Sequence, residues 1–158
     1  MTKLKNSCLK DQPFTSALAK IEQHAGFPPK LALEIGKFMK ALRDRIEDVQ
    51  DEFNTLVKKY CHLTKDGEID HKDKPGQYHI KKELIPKWED AYDAFEALEF
   101  KINAPRFQLS DLERVGLTPV QMAALEPLIG ESLEIASAAD VKKFAGKKGG
   151  LKSLPKDH

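Results

Sequence analysis

The chain has 158 residues, 41% of them hydrophobic and 32% charged, with a formal net charge of +1. That length suits one domain with a real core, and near-neutrality gives no global field to draw nucleic acid or an anionic membrane. Cys8 and Cys61 alone make no disulfide framework, no run approaches the roughly 20 apolar residues of a membrane span, and the start MTKLKNSCLKDQ lacks a signal-type apolar core.

Residues 1–10 are short and mixed, with Leu4 and Leu9 able to anchor a strand or a turn of helix. Phe14 to Ala25 reads as a helix. Thr15 or Ser16 is the expected N-cap, Leu18 and Ile21 line one side, and Gly26 stands where a left-handed C-cap is wanted. Phe27-Pro28-Pro29 then turns the chain, and Pro29 suits a first helical position because its missing N–H is not needed there.

The segment from Pro28 to Leu63 dominates the pattern. Its large apolar residues are Leu31, Ile35, Phe38, Leu42, Ile46, Val49, Phe53, Leu56, Tyr60 and Leu63. They recur in steps of three and four, averaging about 3.6 residues, the period of one helix face. A helix of this length is about 54 Å long at ~1.5 Å per residue. It needs partners to keep its stripe dry.

Thr64-Lys65-Asp66-Gly67 breaks the helical pattern, and two short alternating segments flank Pro75-Gly76, the signal for a small β-hairpin at the helix tip. A further helix follows over Leu84–Ile102, with Pro86 in its first turn and Trp88, Ala91, Phe95, Leu98 and Ile102 on one face. It is the natural antiparallel partner of the long helix, with Tyr60 and Leu63 facing Leu84 and Trp88. Being about half as long, it covers only the Ile46–Leu63 half. The Leu31–Leu42 half is left to the first helix and to whatever follows residue 103. There, Arg106–Leu109 alternates like a short strand, Ser110–Glu113 reads as a capped turn, and Thr118 is the N-cap of a helix with Pro119 at its first position.

The expected fold is therefore mainly α: a long antiparallel helical hairpin with a small β-hairpin at its tip and short flanking helices. Residues 1–129 form the single helical-hairpin domain and 130–158 a basic C-terminal tail. From residue 141 the tail has six lysines against one Asp. Lys142, Lys143, Lys147, Lys148 and Lys152 are its candidate contacts with an acidic partner or nucleic acid, both salt-sensitive. Near-neutral charge and the lack of interleaved aromatics disfavour nucleic acid.

No catalytic constellation stands out. Cys61, His62, His71 and His79 lie near the tip, but their spacing matches no zinc motif, and ordinary surface histidines with a half-buried thiol are the simpler reading. Asp66, Glu68 and Asp70 imitate the start of a calcium loop, yet His71 replaces its glycine and Gln77 its last glutamate. Gly146-Lys147-Lys148-Gly149-Gly150 lacks P-loop spacing. Neither a metal nor an organic cofactor is expected, and no enzyme activity.

The order of pieces, with PPKLALEIGKFMKALRDRIEDVQDEF, then KDGEID, then FQLSDLERVGLTPVQMAALEPLI, resembles a family of small helical bacteriophage and prophage proteins of unassigned function. The likeness covers about residues 3–129, and the tail departs from it. It implies phage origin and a helical hairpin, and carries no catalytic residues. The expected function is non-enzymatic protein–protein binding, as a virion structural component or assembly factor, in the host bacterial cytoplasm or the virion and without a membrane. A host-directed modulator that binds and inhibits a bacterial protein is the alternative. The partner is then a phage structural protein, a second copy or a host protein. Leu31, Ile35, Phe38 and Met39 are the candidate docking residues, provided the C-terminal segment does not shield them.

Overall fold

A helix of 32 residues runs unbroken from Pro29 to Tyr60 in the computed structural model, which describes residues 1–71 and 77–130. This helix is α2. Strand β1 (Thr2–Lys5) and helix α1 (Gln12–Gln23) precede it; α3 (Ile85–Ala97), β2 (Glu99–Ile102), α4 (Leu109–Leu112) and α5 (Pro119–Ala124) follow. The mainly helical class expected from the sequence is the one observed, with a two-stranded antiparallel sheet added.

Pro29 opens α2 as expected, and the helix is about 48 Å long by its rise per residue. It stops at Tyr60, three residues short of Leu63, because Cys61 turns extended at φ −94° and ψ 168°. The start of α1 also differs from expectation. Asp11 is its N-cap, accepting a 3.0 Å hydrogen bond from the Phe14 N–H, while Thr15 and Ser16 lie inside the helix and donate back to carbonyls of its first turn. Pro13, which needs no N–H in that turn, allows the helix to begin earlier. Gly26 is no left-handed cap, since the positive-φ glycines among the described residues are Gly67 and Gly116. A Cβ there would lie 2.6 Å from His24 Nε2, so a larger residue would displace the half-buried His24 ring from its edge-on contact with Phe27.

The apolar stripe of α2 is covered in two halves, as its length required. On the first half, Ile35, Phe38, Met39 and Leu42 join Phe14, Ala17, Leu18 and Ile21 of α1 and Phe107, Leu112, Leu125 and Leu128 of the C-terminal segment. On the second, Val49, Phe53, Val57 and Cys61 pack with Phe95, and Tyr60 and Phe53 meet Trp88, Tyr92 and Phe95 in descending order, so α2 and α3 are antiparallel. Between the halves, Ile46 lies in the middle of the stripe yet is 43% exposed.

At the tip, the reversal uses the acidic-Gly turn. Leu63 bridges Ile69 around Gly67 at φ +80°, a conformation glycine adopts without a Cβ clash. The 77–80 segment pairs with the exit of α2 through Cys61 and Ile80, and the Pro75-Gly76 turn falls outside the described residues. The expected pairing of 68–70 with 77–80 is replaced because the unwound exit of α2 offers its own backbone groups: Lys81 donates to the Tyr60 carbonyl at 2.9 Å, and His62 donates to His79 and accepts from Asp70, both at 3.0 Å.

Helix α3 ends at Ala97 instead of Ile102. Residues 99–102 become β2 and pair with β1 in the register Thr2↔Ile102 to Lys5↔Glu99. The C-terminal segment then closes over α2. Thr118 caps α5 with Pro119 in the first turn, as the sequence indicated, and Gln121 completes a reciprocal box with it. The Gln121 amide donates to Ser16 at 2.9 Å and accepts from Lys20 at 3.1 Å, which fixes α5 to α1.

Candidate interaction surface

The amphipathic period of α2 points Phe53 at α3, and the i, i+4 spacing of Trp88 and Tyr92 places both rings over it. Phe53 is almost fully buried, with ring centroids of Tyr78, Phe95, Tyr92 and Trp88 at 5.6, 5.6, 6.1 and 6.2 Å. Tyr60 adds an edge contact to Trp88 at 5.8 Å. Only Phe53 and Phe95 of this group are buried; Tyr60, Tyr78, Trp88 and Tyr92 are half-buried.

A cation completes the group. Lys10 Nζ stands 4.6 Å from the Phe53 ring centre and 5.2 Å from that of Tyr92, and donates to Glu96 at 2.7 Å. Burial pulls the Lys10 pKa down, but the hydrogen bond and charge of Glu96, helped by Tyr92, outweigh it and the net shift is upward. Ring faces beside a carboxylate thus already hold one lysine here. Away from the rings, α3 bears Glu89, Asp90 and Asp93, all exposed and without an ion pair among the described residues.

On another side of the distal half of α2 lies an open groove of about 610 Å³, lined by Asp51, Asn54, Thr55, Lys58, Glu68, Ile69 and His71. Lys58 and Glu68 pair across it at 3.3 Å. Its lining is polar and of mixed charge, with no buried nucleophile. Among the described residues no three His, Cys, Asp or Glu side chains converge as metal ligands. Cys61, the buried thiol nearest the tip, is pushed up in pKa mainly by burial, which holds it in its unreactive form.

The residues expected to dock a partner do not form an open surface. Ile35, Phe38 and Met39 are buried in the first core beneath the C-terminal segment, and Leu31 is half-buried against it. Four large side chains from Phe107, Leu112, Leu125 and Leu128 fill the space a partner would need. Lys142, Lys143, Lys147, Lys148 and Lys152 lie outside the described residues. Trp88, Phe53 and Phe95 read from the sequence as core, which holds for the two phenylalanines. Of the tyrosines only Tyr92, on the flank of the α3 stripe, carried a sequence signal of partial exposure; Tyr60 reads as part of the α2 stripe, Tyr78 as part of the tip segment, and Lys10 had no signal. No helix among the described residues is long and apolar enough to cross a membrane. No family model, curated protein or solved structure matches the chain.

Proposed function

We propose that this chain is a non-enzymatic helical protein that works by binding another protein, as a virion component or assembly factor of a bacteriophage. The phage setting rests on the resemblance of its sequence pattern. The binding role rests on one observation: four half-buried aromatic residues gathered around Phe53 on the distal half of α2. Tyr and Trp supply large contact area at low conformational cost and are enriched where proteins meet.

Quantitative mass spectrometry of purified phage particles tests the proposal. A fixed number of copies per particle, lost when Tyr60 and Trp88 are replaced by serine, supports it. If the protein is missing from particles and instead co-purifies one-to-one with a single bacterial protein, the host-directed modulator takes its place. A monomer free of partners in both fractions overturns both readings.

A further inference from the structure

We propose that the β1–β2 sheet is a second docking site, which takes an extended segment of a partner protein, alternating acidic and apolar, as a third strand on the open edge of β2. This surface uses other residues than the aromatic group around Phe53. Three observations support it.

The first is the charge on the outer face of the sheet. Leu4 and Ile102 are buried in the first core and Phe100 packs against it. The two-residue alternation of a strand therefore sends Lys3, Lys5, Glu99 and Lys101 to the opposite face, where all four are exposed. Lys3 stands directly opposite Lys101. The Asn6 N–H donates to the Leu98 carbonyl in the same register, which makes Lys3↔Lys101 a pair of the closer, non-hydrogen-bonded kind. Like charges so placed repel. Glu99, the one carboxylate on this face, lies 3.7 Å from Lys3, and Lys5 and Lys101 have no ion pair among the described residues. An incoming carboxylate beside Lys101 would turn this repulsion into attraction.

The second is the main chain. The same alternation aims the N–H and C=O groups of Glu99 and Lys101 away from β1, and these groups have no hydrogen-bond partner among the described residues. An open strand edge is a template for a further strand. A peptide offers matching N–H and C=O groups beside its carboxylates, whereas nucleic acid offers phosphates without them, so the edge favours a peptide.

The third is the reverse face of that edge. Leu98 begins it at 52% exposure and Phe100 is half-buried, so an incoming strand finds apolar contacts there and lysines on the other face. Directly after β2, residues 103–105 and Glu34 and Lys37 of α2 line an open cleft of about 210 Å³, which gives the strand room to run on.

The test uses the full chain and a short synthetic peptide alternating glutamate and valine. The peptide should bind, slow hydrogen exchange at the Glu99 and Lys101 amides, and weaken in affinity as salt rises. Its affinity should fall about tenfold in the Lys3→Gln, Lys101→Gln variant, whose unfolding midpoint should stay at the wild-type value. A counterpart with lysine in place of glutamate should not bind. Failure of the acidic peptide to bind at millimolar concentration, or binding that ignores the two lysines, overturns the proposal. A single-stranded oligonucleotide that binds through the same lysines without slowing those amides overturns the peptide and assigns the face to nucleic acid. Slowed amides that depend on protein concentration without peptide overturn it in favour of a second copy. Particle stoichiometry and its dependence on Tyr60 and Trp88 are unaffected by these results, so the two readings fail separately.

Discussion

The Asn6 side-chain amide donates to the Phe95 carbonyl at 3.0 Å across 89 positions of sequence. The Asn6 N–H donates to the Leu98 carbonyl at 2.9 Å, and Arg45 approaches Asn6 Oδ1 at 3.5 Å. Asn6 is 1% exposed, so a single buried polar residue joins the start of the chain, the end of α3 and the middle of α2. The Phe95 carbonyl belongs to the last turn of α3, where it also accepts the Leu98 N–H at 3.3 Å.

Replacing Asn6 by alanine removes one of the two donors to that carbonyl, with the Leu98 N–H remaining. The expected cost is about 0.5–1.5 kcal/mol of unfolding free energy, that of one net hydrogen bond, read from chemical denaturation. The β1–β2 pairing starts one residue away, so its amides should lose protection from hydrogen exchange before those of α2.

Leu42 and Ile46 are neighbours one turn apart on the same stripe of α2, and the structure treats them differently. Leu42 is 4% exposed within the first core, while Ile46 is 43% exposed at the waist between the two cores. Leu42→Ala should therefore cost about 2–5 kcal/mol, whereas Ile46→Ala should stay within about 1 kcal/mol. Matched denaturant titrations of the two variants check this. Equal costs would mean that Ile46 is covered in solution.

The same contrast shows what the sequence could carry. Periodicity placed α2, its division into two covered halves and the antiparallel α3, because a stripe of this length leaves few ways to exclude water. Local chemistry placed the start of α5, with Thr118 as cap and Pro119 in the first turn, but not that of α1, whose cap is Asp11. The sheet was not legible, since Leu98 to Ile102 satisfies both a helical step and a strand alternation. The choice was made by Thr2–Lys5, whose pairing with 99–102 no local pattern announces. The interaction surface was half legible for the same reason: Trp88 and Tyr92 follow from the period of α3, but the lysine beside them comes from residue 10.

Lys10 gives that surface a pH signature. Its pKa is raised in the folded protein, so the stabilisation from its contacts with Glu96, Phe53 and Tyr92 is fully present below the ordinary lysine range. It is lost as pH rises through the folded value. Because the side chain is 47% exposed, the contribution is about 1 kcal/mol. Lys10→Met should lower stability by that amount near neutrality. The gap to wild type should close above about pH 10.4. Comparing the two proteins at each pH removes the alkaline losses they share.

Cys61 supplies one of those shared losses and a chemical contrast with Cys8. Burial raises its pKa, with part of the rise offset by a backbone hydrogen bond and by Lys81, and only 1% of the residue is exposed. A thiol that ionises more readily unfolded than folded draws the chain toward the unfolded state as pH rises. Wild-type stability should therefore begin to fall above about pH 8.5, with a slope that Cys61→Ala lacks. In the native state a thiol-specific reagent should modify the half-buried Cys8 first. Reaction at Cys61 should wait for opening of the second core, which its contacts with Val57 and Phe95 hold closed. Peptide mapping after timed alkylation separates the two sites. Equal rates at both would show that the tip around Cys61 opens freely, contrary to its packing.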